Sequence, residues 1–323
     1  MAWLYVQHTY SNEIRVFDEA RAYELCGTIA LGDSWRPDSV VLSADGATLY
    51  SNWKDMSYLR AAVRTPSRSL FMAHDARTLA EQWRLPLDGA VEHFAASPDK
   101  RTVWNAVSDR PWMIRVDVEA RTADYVQITS QGGHKVRVSA DGLKCYVGSI
   151  MTCELTEVDT QTLKRTRVAP FDDYVRPFDL SRDGQTAYVQ LSRMHGLVEF
   201  DLPSWSIRRR IGWPKLPPET PVETAFPFTV DHGAEVTPDD ELILLLATTG
   251  NHMIVCQRAD FSIVAVIPLG VEPSYLTLSP DAQRVYVTNR VSGDVYVVDR
   301  ATWDVVARFE TGGKRPQRLC VSA

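Results

Sequence analysis

The chain has 323 residues, of which 45% are hydrophobic and 24% are charged, and its formal net charge is −6 at pH 7. This acidic balance argues against a nucleic-acid partner, which would require a basic stripe. No basic segment followed by a long apolar run opens the chain, and no stretch could span a membrane, so we expect a cytoplasmic protein without a membrane contact. The five cysteines include no CxxC pair and predict neither a disulfide framework nor a thiolate zinc site.

A repeated motif divides the chain. Six times a Ser or Thr, which we call the anchor, is followed two residues later by Asp, and successive anchors are 54, 42, 42, 56 and 42 residues apart. The anchors are Ser43, Ser97, Ser139, Ser181, Thr237 and Ser279. The Ser-x-Asp segments predict tight turns, and the short runs between them alternate apolar and polar residues as β-strands do. A repeat of about 40 to 45 residues with four strands is the unit of a β-propeller blade.

The strands can be followed in chain order. The first three are expected at 3–7, 14–18 and 26–31, and they match the second, third and fourth strands of a repeat. The last complete repeat predicts strands at 284–288, 294–299 and 305–309, and an inner strand follows at 318–321. Joining this C-terminal strand to the three N-terminal strands completes a blade and removes the open sheet edge. The sequence therefore predicts an all-β, seven-bladed β-propeller of four-stranded antiparallel blades, forming a single domain over 1–323.

Two insertions interrupt the 42-residue period. The first adds twelve residues within 51–67, between the second and third strands of the first complete blade, and the second adds fourteen within 212–231, between the fourth and fifth blades. Both connections emerge at the face opposite the Ser-x-Asp turns, so we expect the insertions on the same face, as an ordered lid or as lineage-specific decoration. Aromatic and imidazole residues of this face are candidate substrate-binding residues, namely Trp53, Trp112, His195, Trp213, Phe228 and His252.

Two sets of polar residues emerge when the predicted inner strands are aligned on their anchors, with Ser322 as a seventh anchor. The positions five before each anchor, the upper ring, contain no apolar residue. They are Asp38, Glu92, His134, Arg176, His232, Ser274 and Gln317. The positions two before each anchor, the lower ring, include Arg137, Asp179 and Glu235 on neighbouring blades. Because the positions flanking the lower ring are apolar throughout, alternation predicts a polar, water-filled channel.

The upper ring supplies the candidate chemistry. An imidazole can move a proton near neutral pH, and a guanidinium can hold a carboxylate or a developing oxyanion. His134 and His232 are therefore candidates for proton transfer, and Arg176 is the candidate anchor for an anionic substrate. Asp38 and Glu92 are expected to contact the substrate.

Two alternatives remain open for the acidic residues. No cofactor is required, but a divalent metal could be held by His134, His232 and Glu92. Glu235 either takes a direct part in catalysis or, like Asp179, is simply neutralised by Arg137.

Two family resemblances are carried by short motifs. Segment 279–289, Ser-Pro-Asp-Ala-Gln-Arg-Val-Tyr-Val-Thr-Asn, resembles the YVTN-repeat proteins, which implies a seven-bladed propeller and little about activity. Segments 134–142, 175–184 and 233–239 resemble three successive blade starts of the cytosolic seven-bladed lactonase family, which includes 6-phosphogluconolactonase-like and carboxymuconate-cyclising enzymes. That resemblance implies that His134 and Arg176 belong to an active site. The chain departs from the family at 189–192, where Val-Gln-Leu-Ser replaces an Asn-Glu pair, and near Thr248, where the family has an Arg.

Two functions are compatible with these patterns. The first is an enzyme that performs acid/base chemistry of lactonase, lyase, cyclase or hydrolase type on a small anionic or aromatic molecule at the channel mouth. The second is a non-catalytic ligand-binding or scaffold propeller that contacts another protein through an exposed aromatic patch around Trp53 and Trp213.

Overall fold

The computed structural model describes residues 2–57, 66–213 and 229–323. The strands of the described residues form seven four-stranded antiparallel sheets, and a short 3-10 turn occurs at Glu19–Arg21. The predicted all-β, seven-bladed propeller is therefore confirmed. Within these same ranges, no helix has both the length and the apolar character needed to cross a membrane.

The blades follow one another along the chain, and we number them from the first complete one. The chain begins with β1 (Trp3–His8), β2 (Glu13–Asp18) and β3 (Glu24–Ala30). Blade 1 contains β4 (Trp35–Leu42), β5 (Thr48–Asp55), β6 (Arg68–Asp75) and β7 (Glu81–Asp88). Blade 2 contains β8 (Val91–Ala96), β9 (Thr102–Val107), β10 (Trp112–Asp117) and β11 (Thr122–Gln127). Blade 3 contains β12 (Gly133–Val138), β13 (Lys144–Ser149), β14 (Glu154–Asp159) and β15 (Lys164–Pro170).

The second half of the ring repeats this arrangement. Blade 4 contains β16 (Val175–Leu180), β17 (Thr186–Leu191), β18 (Gly196–Asp201) and β19 (Ser206–Gly212). Blade 5 contains β20 (Ala234–Val236), β21 (Leu242–Ala247), β22 (His252–Gln257) and β23 (Ile263–Pro268). Blade 6 contains β24 (Pro273–Leu278), β25 (Arg284–Asn289), β26 (Asp294–Asp299) and β27 (Val305–Glu310). The last strand is β28 (Pro316–Val321).

Blade 7 joins the two ends of the chain. Its sheet order is β28-β1-β2-β3, and β28 pairs with β1 through Leu4 opposite Val321 and Val6 opposite Leu319. The C-terminal strand is thus the inner strand of a sheet whose other three strands come from the N-terminus, as the sequence predicts. This pairing closes the ring without a free edge at the junction.

The Ser-x-Asp motif owes its recurrence to one hydrogen-bonded turn. In blade 4 the hydroxyl of Ser181 donates to Asp183 at 2.5 Å and accepts from the backbone N–H of Thr186 at 2.9 Å, while Asp183 accepts from the N–H of Gln185 at 3.0 Å. The five other anchors donate to their Asp at 2.5 to 2.6 Å. The motif therefore satisfies the backbone groups of the turn between the inner and second strands.

The hydrophobic core is divided among the blade junctions. In the described residues seven apolar clusters fill the seven interfaces between neighbouring blades. Between blades 3 and 4, for example, Tyr146 and Leu155 pack with Phe178 and Phe200. Each blade thus buries both faces only because it has two neighbours, and the polar inner strands are left to line the central channel.

The two insertions lie where the sequence places them in the chain, but only their flanks can be described. Residues 58–65 and 214–228 fall outside the described ranges. The beginning of the first insertion is not a loop, because β5 continues to Asp55 and β6 starts at Arg68, so these two strands are eight residues long. The placement of both insertions over one face stays a prediction.

Candidate functional site

Most inner strands contain an irregularity just before they enter the channel. In blade 3, Gly133 pairs with Ser149 and Val136 with Val147, so the inner strand advances three residues while its neighbour advances two. The same kind of β-bulge occurs in blades 1, 2, 4, 6 and 7. A bulge re-aims a side chain that would otherwise follow the alternation of the strand. In blade 6 two successive residues, Ser274 and Tyr275, consequently line the same cavity.

The bulges surround a cavity of about 350 Å³. All seven upper-ring residues line it, so the cavity brings together side chains from positions 38 to 317 of the sequence. The loops between second and third strands contribute Thr9, Tyr10, Ile150 and Thr248. Thr229, which directly follows the second undescribed segment, also lines the cavity. The cavity therefore lies at the face to which the sequence assigns the insertions.

Two imidazoles, those of His134 and His232, line this cavity, and that of His93 packs against them. The ring centroid of His134 is 4.4 Å from that of His93 and 5.4 Å from that of His232. Burial lowers the pKa of all three well below the ordinary value, and nearby arginines lower it further. The three rings are thus neutral near pH 7.

Hydrogen-bond partners fix the proton of one of these rings. The Nδ1 atom of His232 lies 3.0 Å from the backbone carbonyl oxygen of Ser274, which can only accept, so Nδ1 carries the proton. The Nε2 atom of neutral His232 is then a proton acceptor. The Nδ1 atom of His134 is buried and has no hydrogen-bond partner among the described residues.

Arginine dominates the charge of the cavity. Its lining includes Arg36, Arg176, Arg290, Arg315 and Arg318 but only two carboxylates, Asp38 and Glu92. Arg176 donates to the hydroxyl of Ser192 at 2.7 Å, and burial lowers the pKa of its guanidinium to about 10. A buried cation whose charge is disfavoured by desolvation gains most from an anion.

The two carboxylates of the upper ring are already neutralised. Lys54, which is almost completely buried, donates to Glu92 at 2.5 Å and lies 3.1 Å from Asp38. Arg318 forms a second ion pair with Asp38. Burial raises the pKa of Asp38, but the cations of Arg318 and Lys54 outweigh burial and lower it overall. The net charge of the cavity wall is therefore positive.

In the lower ring one arginine is paired with two carboxylates. Arg137 donates to Asp179 at 2.6 Å and to Glu235 at 2.8 Å. Burial raises the pKa of Glu235 although Arg137 works against it, while Arg137 keeps the pKa of Asp179 low despite burial. None of the three lines the cavity. The geometry therefore favours the neutralising role of Arg137 over a catalytic role for Glu235.

The candidate residues of the rim that the structure describes are not among the residues lining the cavity. Trp53 is a core residue of the junction between blades 7 and 1, completely buried, so its assignment to substrate binding and to an exposed aromatic patch is wrong. Trp213 is half-buried against the core of blades 4 and 5. Trp112 packs edge-on against Tyr125 at 6.0 Å in blade 2. Phe228 lies outside the described residues.

His195 and His252 form a separate group beside the cavity. The Nδ1 atom of His195 is 2.9 Å from a carboxylate oxygen of Asp231, and the two imidazole centroids are 6.4 Å apart. Neither histidine is among the residues that line the cavity. Their predicted contact with a substrate stays a prediction.

The predicted metal site does not form from the described residues. Within 2–57, 66–213 and 229–323, no group of three or more His, Cys, Asp or Glu side chains has a geometry that could hold a metal ion. Glu92, one of the three candidate ligands, instead accepts from Lys54. The residues present therefore do not fit a metal bound by His134, His232 and Glu92.

The alignment of the inner strands missed two residues that line the cavity, Tyr275 and Arg318, and His93, which bonds to both. His93, Tyr275 and Arg318 all stand four residues before an anchor, directly after an upper-ring position. They interact with one another, since Arg318 donates to the Nδ1 atom of His93 at 3.1 Å and to the hydroxyl of Tyr275 at 3.0 Å. The signal was available, because this column is almost free of aliphatic residues, as the upper ring is.

Comparison with known proteins supports the fold and leaves the activity open. No protein-family model matches the chain, and no curated protein sequence resembles it significantly. The periplasmic gluconolactonase of Pseudomonas aeruginosa is similar in structure, with a TM-score of 0.74 and 17% identity over 100% of this chain and 99% of that one. A Bacteroides uniformis protein, provisionally assigned as a 6-phosphogluconolactonase, gives 0.73 and 15% over 99% of both chains.

A third structural neighbour is named for a different reaction. Hydrazine synthase of Kuenenia stuttgartiensis matches with a TM-score of 0.72 and 15% identity over 91% of this chain and 90% of that chain. Similarity at such low identity shows the propeller fold alone.

Proposed function

We propose that this protein is an enzyme that opens or closes the ring ester of a small lactone bearing an anionic group. One observation carries the proposal: neutral imidazoles and a surplus of arginine line a single cavity. Two structural neighbours, a gluconolactonase and a provisionally assigned 6-phosphogluconolactonase, are named for this class of reaction. A small-molecule substrate is the corresponding partner.

The cavity residues suit the steps of lactone hydrolysis. The Nε2 atom of His232 would take a proton from water as the water oxygen attacks the carbonyl carbon. Arg176 would hold the anionic group or the oxygen on which negative charge develops. The ring centroid of His134 lies 5.4 Å from that of His232, and this neutral imidazole, which lines the cavity, would take a hydrogen bond from the substrate or the attacking water.

The charge of the cavity predicts which lactones are preferred. Glucono-1,5-lactone is neutral, whereas its 6-phosphate and a carboxylate-bearing muconolactone are anionic. Since the two cavity carboxylates are neutralised, the arginines should favour the anionic lactones by tenfold or more in kcat/KM, at about 1.4 kcal/mol per factor of ten. Hydrolysis is followed by the release of acid at constant pH, with spontaneous ring opening subtracted.

Variants of the upper ring test the assignment of residues. We expect His232→Ala or Arg176→Ala to lower kcat/KM by about 10² to 10⁴. His74→Ala is the matched control, because His74 is also buried but lies in β6 away from the cavity. Wild-type protein that opens none of these lactones, or full activity in both upper-ring variants, would contradict the proposal.

The cytoplasm is the compartment that we propose, as the sequence suggests. All five cysteines are free, among them Cys145 and Cys256 in the core, so the described fold does not depend on an oxidising environment. Fractionation of the producing cells checks this, and recovery of the protein in an exported fraction would contradict it.

A further inference from the structure

A tyrosine of the cavity is held by two hydrogen-bond donors. The side chain of Tyr275 is 8% exposed, and its hydroxyl oxygen lies 3.0 Å from Nη2 of Arg318 and 3.1 Å from Nε2 of His93. The guanidinium of Arg318 also lies over the Tyr275 ring, 4.6 Å from its centroid. These contacts fix both the position and the plane of the phenol.

The direction of each hydrogen bond follows from the partners. Arginine can only donate, so the Nε–H of Arg318, 3.1 Å from Nδ1 of His93, requires a lone pair on that nitrogen. His93 is consequently neutral with its proton on Nε2, and this N–H donates to the Tyr275 hydroxyl. Arg318 donates to the same hydroxyl. The phenol oxygen thus accepts twice, and its own proton has no acceptor among the residues that the structure describes.

We propose that Tyr275 is the general acid of this site, with His93 and Arg318 as the positioning residues that stabilise its phenolate. The inference rests on the proposed lactone chemistry. Tyr275 lines the cavity, and its ring centroid is 4.9 Å from that of His232, the proposed base. Acid and base therefore stand on neighbouring blades and line the same cavity.

The proton transfers balance over one hydrolysis. Water gives a proton to Nε2 of His232 while its oxygen bonds to the carbonyl carbon. The bond between that carbon and the ring oxygen then breaks, and the leaving alkoxide takes the proton of the Tyr275 hydroxyl. The products are an alcohol and a carboxylic acid in one molecule, and transfer of the proton from His232 to the phenolate restores the enzyme.

The environment of Tyr275 suits a proton donor. Burial raises its pKa to about 12, although the Arg318 cation works in the opposite direction, so the phenol keeps its proton at neutral pH. An alkoxide is more basic than such a phenolate, which makes the transfer favourable once the ester bond breaks.

A comparison of leaving groups tests the acid role. Two lactones that bear the same anionic group are used, one releasing an aliphatic alkoxide and the other a phenolate, which leaves without protonation. We expect Tyr275→Phe to lower kcat on the aliphatic lactone by about 10² to 10⁴ and on the phenolic lactone by less than tenfold. His93→Phe, which removes one donor, should show the same selectivity with a smaller loss.

The controls separate an acid role from a structural one. Tyr188→Phe removes the hydroxyl of another buried tyrosine, one that receives a hydrogen bond from Arg258 away from the cavity, and should leave both rates unchanged. Binding of the ring-opened hydroxy acid should stay within about threefold in Tyr275→Phe. Equal losses on both lactones, or no loss on the aliphatic one, would overturn the acid role alone. Wild-type protein that opens neither lactone would overturn the proposed function and this inference together.

Discussion

The two polar layers of the channel are built from the same inner strands but differ in how their charges are paired. In the lower ring Arg137 bonds to both Asp179 and Glu235, so the three charged residues of that ring are paired with one another. In the cavity layer the carboxylates are paired as well, but three neutral imidazoles and a surplus of guanidinium groups remain. A layer that completes its own pairing stabilises the ring, whereas one that keeps a positive excess is suited to an anionic ligand.

Removing one arginine from each layer tests this difference most directly. Arg137→Met should lower the free energy of unfolding by about 3 to 5 kcal/mol, because it leaves two buried carboxylates without their partner. Arg176→Met should cost less stability, because desolvation already opposes this charge, but it should abolish most of the activity. Denaturant unfolding and lactone hydrolysis are measured on both variants.

A compensated variant completes that test. Combining Arg137→Met with Asp179→Asn and Glu235→Gln removes the stranded charges and should restore most of the lost stability. Stability that stays low in the triple variant would mean that packing of Arg137, rather than its charge pairing, holds the lower ring.

Acid should lower the stability of the protein through the buried histidines of the cavity layer. The buried imidazoles of His93, His134 and His232 have pKa values well below that of an exposed histidine, so between the two values the unfolded chain binds protons that the native chain does not. The free energy of unfolding should therefore fall as the pH drops below about 6.5, by up to about 1.4 kcal/mol per pH unit for each histidine. Unfolding at pH 7, 6 and 5 gives the slope, which His232→Asn should reduce; an unchanged slope would contradict the effect of burial.

The smallest effect is expected at the turns, which lie on the face away from the cavity. Ser181→Ala removes the hydroxyl that donates to Asp183 and accepts from Thr186, and should cost about 1 to 2 kcal/mol of stability. Hydrolysis at a temperature well below the melting point should be unchanged. A loss of activity comparable to that of Arg176→Met would show that the turn face and the cavity are coupled.

Aligning the repeats identifies the upper-ring residues of the cavity. It does not identify the residues four positions before each anchor, such as Tyr275. Strict alternation from the apolar positions three and one before each anchor would place the upper ring on the packing face of the strand. The extra residue of the bulge reverses this, so Ser274 and the following Tyr275 both line the cavity. A bulge is defined by pairing with the neighbouring strand and cannot be read from one strand alone.

The length of the repeat does not show which residues of an insertion form a loop. Trp53 and Lys54 were placed in an insertion because the repeat length increases there, yet both belong to β5 and are buried. Part of the first insertion therefore lengthens the hairpin of β5 and β6. A change of period locates an insertion in the chain but does not tell how many of its residues continue the strands.

The number of blades, the turns and the closure of the ring could be predicted from the sequence, because they depend on local hydrogen bonds and on a period that repeats along the chain. Which polar groups meet depends instead on the tertiary structure. Arg318 and Asp38 are paired across 280 positions of the chain, and Lys54 joins carboxylates from two blades. Such pairs depend on how seven strands are rotated about a common axis, which no single repeat encodes.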